Sequence, residues 1–131
     1  MKHINKTIGY ALLAAGYIAE HSQEGSVGAS VISKECNIPM LYLFKVLDTL
    51  TKANILRSKR GPGGGFSLAR PAEEITILEI IEAVDGLILY SLKLKKHANE
   101  SFIPKMEKVC QSATEEAQKL YSKATLSEIL S

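Results

Sequence analysis

The sequence predicts a mainly α-helical fold carrying one small β-hairpin, and three features predict it. Apolar residues recur every three or four positions over residues 4–21, 39–53 and 101–124, the spacing of amphipathic helices. Residues 55–60 and 66–68 instead alternate apolar with polar or basic side chains, the period of a strand. Between those two short runs lies Gly61-Pro62-Gly63-Gly64-Gly65, whose composition marks a turn.

The first helical stretch places Ile4, Ile8, Leu12, Ala15 and Ala19 in one stripe, widened by Tyr10, Leu13 and Tyr17. The polar run Ser22-Gln23-Glu24-Gly25 ends it. A short helix is expected from about Ala29 to Cys36. Asn37-Ile38-Pro39 then breaks the chain, because proline pushes its preceding residue out of the helical region yet suits a first helical turn itself. A third helix follows from Pro39 to about Ala53, burying Leu43, Val46, Leu47 and Leu50. Two helices joined by so short a turn make a helix-turn-helix. A glycine-tipped hairpin directly after it makes a wing.

Thr76-Ile77-Leu78-Glu79 is a capping box, in which the hydroxyl and the carboxylate satisfy free amides at a helix start. A helix is therefore expected from Ile77 to about Val84, stopping near Asp85-Gly86. Residues 87–100 are ambiguous: Leu87 to Leu94 suits a short helix, Lys95 to Glu100 a loop. From Ser101 onward Phe102, Met106, Val109, Cys110, Ala113, Ala117, Leu120, Tyr121 and Ala124 form one continuous apolar seam. Thr125-Leu126-Ser127-Glu128 is a second capping box, opening a terminal helix. The expected organisation is a winged helix-turn-helix over residues 1–86. A linker, a long dimerisation helix and a short terminal helix then fill residues 87–131.

At 131 residues, 46% hydrophobic and 23% charged, the chain suits one compact domain with an appended arm. No run of eighteen apolar residues exists to span a membrane, and the polar start from Met1 to Asn5 lacks the three-part pattern of a secretory signal. Two cysteines far apart in sequence make no disulfide framework, so a cytoplasmic protein is expected. Charge is unevenly spread. Residues 33–70 hold seven Lys/Arg (Lys34, Lys45, Lys52, Arg57, Lys59, Arg60 and Arg70) against Glu35 and Asp48, whereas residues 71–131 are net acidic. A basic centre of this kind suits a polyanion, although solvated surface lysines give the same count.

The glycine tip is not a phosphate-cradling loop of a nucleotide enzyme. Both the P-loop and the dinucleotide fingerprint need a helix after the glycines, and here Phe66-Ser67-Leu68 continues as a strand. His3, His21 and His97 lie in unrelated segments, Glu73-Glu74 and Glu115-Glu116 read as solvated pairs, and no ligand spacing for a metal exists. Neither an enzyme nor a cofactor is expected. Cys36 reads as buried filler, and Cys110 as a seam residue or a redox-responsive thiol.

Double-stranded DNA is the expected partner. The start of the third helix would enter the major groove with Pro39, Met40, Leu41, Tyr42 and, a turn later, Phe44 and Lys45. Lys45 is suited to a guanine edge or a phosphate, Tyr42 to a phosphate, and the apolar residues to a thymine methyl. The residues alone leave open whether Leu41 and Phe44 face DNA, the core or another subunit. In the wing, Lys59 and Arg60 precede Gly61, Gly63 and Gly64, whose missing side chains let backbone approach a phosphate or a narrow minor groove.

The run from Leu56 to Ala69 (LRSKRGPGGGFSLA) followed by Ile77 to Asp85 (ILEIIEAVD) resembles the Rrf-type family of winged-helix transcriptional regulators. The Arg-Gly-Pro-Gly-Gly-Gly-aromatic stretch carries most of that likeness, which extends from the first helix to the closing Thr-Leu-Ser-Glu-Ile-Leu. The resemblance implies a homodimer with crossed long helices, each half reading half of a palindromic operator through residues 39–45, Arg60 and the glycine tip. Many members hold an iron–sulfur cluster through three cysteines ahead of the long helix. This chain has none between Leu87 and Val109, and reads Pro104-Lys105-Met106-Glu107 where the family's last Cys-x-x-His would fall. A cluster-free repressor is thus expected. Its signal would be oxidation of Cys110, a small molecule near residues 87–103, or a partner protein. The alternative is a dimeric adaptor that keeps the fold without binding an operator.

Overall fold

The computed structural model describes residues 5–85 and 101–131. Helix α1 (Lys6–Glu20) starts where the Asn5 side chain accepts the Ile8 amide at 2.9 Å, satisfying one of the free donors of a helix start. Its buried face consists of Ile8, Ala11, Ala14, Ala15, Ile18 and Ala19. The stripe expected from sequence is therefore rotated: Leu12 is only half-buried and Leu13 is exposed. The cause is packing, since α1 is the helix that the rest of the molecule surrounds, and alanines let its neighbours approach where leucines would hold them off. Ile4 lies outside the described residues.

Helix α2 (Ala29–Cys36) ends in Asn37, whose φ of 54° is left-handed and whose amide donates to the Ser33 carbonyl. Ser33 also fixes the turn beyond. Its carbonyl accepts the Ile38 amide at 3.0 Å, and its hydroxyl donates to the Ile38 carbonyl at 2.6 Å. Ile38 is buried and Pro39 extended, and α3 (Met40–Lys52) starts one residue past the expected position. Leu43, Val46, Leu47 and Leu50 are its buried residues, as the spacing predicted.

Strands β1 (Leu56–Lys59) and β2 (Gly65–Leu68) pair antiparallel, with Leu56 opposite Leu68 and Lys59 opposite Gly65. On its other edge β2 meets Val27: Val27 and Phe66 exchange two amide–carbonyl bonds of 2.8 Å each. The hairpin is thereby tied to the residues that lead into α2.

Helix α4 (Ile77–Asp85) has the expected cap. The Glu79 amide donates to the Thr76 hydroxyl at 3.2 Å, and the Thr76 amide to the Glu79 carboxylate at 3.4 Å. Helix α5 (Ile103–Lys123) packs against α4 and leads to α6 (Leu126–Leu130), where Thr125 accepts the Glu128 amide at 3.2 Å. A bridge between Thr76 and Thr125 stitches the two capped starts together, with Ile77 donating to Ala124 and Leu126 to Ile75, both at 2.9 Å. Leu126 is buried in the same core as α1 and α3. The remaining ambiguous segment, 87–100, lies outside the described residues, as do Gly86, His3 and His97.

Candidate nucleic-acid interface

Helix α3 divides into two faces. Inside are the four buried residues that hold it against α1, α2 and β1; outside are Met40, Leu41, Tyr42, Phe44 and Lys45. Leu41 is 82% and Phe44 55% exposed, so neither belongs to the core of this chain. Pro39 is exposed as well. Tyr42 leans toward Tyr10 of α1, with ring centroids 6.0 Å apart, and Lys6 stands 6.0 Å over the Tyr10 ring. Lys6 and Tyr10 are neighbours at i,i+4 on α1, but nothing local announces Tyr42, which lies 32 residues beyond Tyr10.

The wing tip is a tight backbone loop. The Gly64 amide donates to the Gly61 carbonyl at 2.9 Å, closing a four-residue turn with Pro62 second and Gly63, at φ +72°, third. This is the residue order of a type II turn. A Cβ on Gly64 would lie 2.4 Å from the Lys59 carbonyl oxygen, so the loop closes on itself only without a side chain there. Gly61 and Gly63 are exposed and Gly64 half-buried, with Lys59 and Arg60 exposed at the root of the loop.

The seven cations of residues 33–70 are not equivalent. Arg70 is built into the scaffold: its guanidinium meets Glu79 at 2.7 Å and donates to the carbonyls of Asn54 and Glu74 at 3.1 and 3.2 Å. Lys52 pairs with Asp48 at 2.9 Å, and Arg57 donates to the Ala69 carbonyl at 3.4 Å. Lys34, Lys45, Lys59 and Arg60 are exposed, and no ion pair engages them among the described residues. The positive surface without an ion pair therefore narrows to five side chains on α2, α3 and the wing: these four and Arg57, whose charge a neutral carbonyl leaves intact.

Along α5 the seam faces outward. Only Ile103 and Thr114 are buried, while Phe102, Met106, Val109 and Leu120 are exposed, the last two by about 70%. Cys110 sits half-buried among them. Cys36 is half-buried between α2 and α1, its thiol directed at the Leu13 carbonyl at 3.9 Å; burial first, and then Glu35, push that thiol upward from its ordinary pKa.

Comparison with known proteins settles the family. A sequence model described as Rrf2, iron-dependent transcriptional regulator, matches residues 4–131. This chain belongs to the Rrf2 family. Its curated relatives include the HTH-type transcriptional regulator IscR of Photorhabdus laumondii, 43% identical over 76 residues, which are 58% of this chain and 46% of the relative. A putative HTH-type transcriptional regulator of Aquifex aeolicus is 39% identical over 88 residues, 67% of this chain and 60% of the relative. The match thus spans about half the length of these curated relatives. Among solved structures, CymR of B. subtilis superposes with a TM-score of 0.85 at 22% identity, covering 99% of this chain and 97% of that one. The oxidized form of Staphylococcus aureus CymR gives 0.82 at 26% identity over 99% and 96%. The mainly helical architecture with a two-stranded wing is that of these Rrf2 regulators.

The donor set of this Rrf2 chain does not fit an iron–sulfur cluster. Such clusters are held by several thiolates. The sequence has Cys36 and Cys110 alone, on different helices, and among the described residues no three His, Cys, Asp or Glu side chains stand close enough to share a metal ion. Nor is any described helix long and apolar enough to cross a membrane.

Proposed function

We propose that this Rrf2-family regulator is a sequence-specific DNA-binding repressor that acts in the cytoplasm as a homodimer on a palindromic operator, without an iron–sulfur cluster. The observation that carries the reading is the division of α3: one complete row of side chains is buried, and the opposite row is turned outward beside a wing that bears unpaired cations. Pro39, Met40, Leu41, Tyr42 and Lys45 then meet the major groove, while Lys59, Arg60 and the backbone of Gly61, Gly63 and Gly64 meet phosphates or the minor groove. Residues 1–86 form the DNA-binding part and 87–131 the dimerising part.

The exposed seam of α5 supports the homodimer, because a helix with such an apolar face gains stability by covering it with a second copy. Cys110 lies on that seam, so its oxidation would alter the dimer directly; the neighbouring S. aureus CymR structure is itself an oxidized form. A small molecule or protein effector near residues 87–103 is the other source of a signal. A second reading, an adaptor that binds no operator, is favoured by the exposure of Leu41 and Phe44.

Selection of bound fragments from genomic DNA of the source organism tests both. A shared palindrome in the recovered fragments, with a dimer on size-exclusion light scattering, is the expected result. A dimer that recovers no fragment above a salt-washed control would leave the adaptor reading standing and remove the repressor.

A further inference from the structure

We infer that α3 reads its operator mainly through pyrimidine C5-methyl groups, so that 5-methylcytosine can stand in for thymine at the contacted positions. The inference rests on the assignment of α3 to the major groove. Hydrogen-bonded base readout relies chiefly on Arg, Lys, Asn and Gln. Of these, α3 carries only Lys45 and the ion-paired Lys52 between Met40 and Lys52. The hydrogen-bonding side chains that α3 does carry are mostly engaged. Asp48 pairs with Lys52, and the Thr49 and Thr51 hydroxyls donate back to the carbonyls of Lys45 and Leu47 at 2.9 and 2.7 Å. The Tyr42 ring leans on Tyr10, which leaves its hydroxyl free to donate or accept.

What remains outward is Met40, Leu41, Tyr42 and Phe44, with Lys45 and the Tyr42 hydroxyl as the polar groups that no hydrogen bond or ion pair engages among the described residues. Residues 41, 44 and 45 share one helix face by their three- and four-residue spacing. In water this surface is unfavourable. In the major groove the one apolar group that base edges offer is the C5-methyl of thymine. Lys45 on the same face, with Lys59 and Arg60 on the wing, argues for a polyanion as the occupant rather than an apolar protein partner. 5-Methylcytosine carries the same methyl at the same edge. Its 4-amino group replaces the thymine oxygen, and the Tyr42 hydroxyl on α3 suits either, since a phenol both donates and accepts. Cytosine methylation within a suitable sequence would then create or strengthen a site.

The test uses the full-length protein and an operator recovered by the genomic selection above. Each thymine is replaced in turn by deoxyuridine, cytosine or 5-methylcytosine, with the complementary base opposite, and affinity is measured by fluorescence anisotropy. At contacted positions thymine and 5-methylcytosine should bind within about twofold of each other, and uracil and cytosine about fourfold more weakly for each methyl lost, the factor expected for one buried carbon. Leu41→Ala or Phe44→Ala should erase the preference for thymine over uracil, whereas Lys59→Ala should weaken every duplex equally. Both residues are exposed, so these variants should fold as the parent does, which circular dichroism checks. Equal binding of thymine and uracil at every position would overturn the inference while leaving the repressor intact. A uracil penalty that 5-methylcytosine does not relieve overturns the substitution rule. Failure to recover any operator removes both.

Discussion

Replacing Arg60 with alanine should flatten the salt dependence of DNA binding, and replacing Arg70 should not. Of the seven cations between residues 33 and 70, two are ion-paired within the chain, Arg70 and Lys52, while Arg57 donates to a neutral carbonyl and keeps its charge. Within this stretch Lys34, Lys45, Arg57, Lys59 and Arg60 remain for phosphates, about ten contacts in a dimer. Each neutralised phosphate contributes about 0.9 to the slope of log affinity against log salt. These residues should together contribute about −9 to the wild-type slope, and each of the five should remove about 1.8 from it when replaced in both protomers. Arg70→Ala instead loses a partly exposed ion pair and two carbonyl contacts, which is expected to lower stability by about 1 kcal/mol and leave the slope alone. Anisotropy titrations on one selected operator across a potassium chloride series measure the slope. An unchanged slope for Arg60→Ala, or an equal loss for Arg70→Ala, would refute the division of the charges into built-in and available.

Gly65→Ala should destabilise the fold by more than the ~1–3 kcal/mol of backbone strain alone, because at φ +139° its Cβ would also lie 2.5 Å from the Val27 carbonyl oxygen. Gly61→Ala, at φ +86° with open space around it, should cost only the strain, and equal urea midpoints for the two variants would contradict this. Leu47→Ala should cost about 2–5 kcal/mol as a cavity in the core, while Leu41→Ala should stay within about 0.5 kcal/mol of the parent in the same unfolding assay. Cys36 should react with iodoacetamide more slowly in the folded protein than in urea near pH 8, since burial and Glu35 hold its thiol protonated; equal rates would show that the site does not protect it. The same raised pKa means that the folded state keeps its proton longer. Its contribution to stability is present below the unfolded thiol's pKa and is lost as pH rises through the folded value.

The elements governed by short-range rules were legible in the sequence. The buried row of α3, the ends of α2, both capping boxes and the hairpin each depend on residues within a few positions of one another. What escaped depends on partners distant in the chain. The buried face of α1 was misplaced because hydropathy favours Leu12 and Leu13, while the close approach of neighbouring helices favours alanine. Arg70 adds to the basic count of its stretch, and only the packing of α4 beside it lets Glu79 neutralise it. The bridge from Val27 to Phe66 joins residues with no local pattern to announce it. Within the candidate site, the exposed residues of α3 were the complement of a periodicity already read; the Lys6–Tyr10–Tyr42 cluster was not, because it forms only when α1 and α3 pack.

The stitch between Thr76 and Thr125 gives the last residues a weight that their number does not suggest. Leu126 plugs the interior beside α1, and the backbone on either side of it is fastened to the entrance of α4. A protein shortened to end at Ala124 would keep every side chain of the candidate interface yet open its own interior to water, at a loss of about 1.5–3 kcal/mol for that leucine alone. The closing turn and a half works as a stopper, sealing the interior against which α1 and α3 pack.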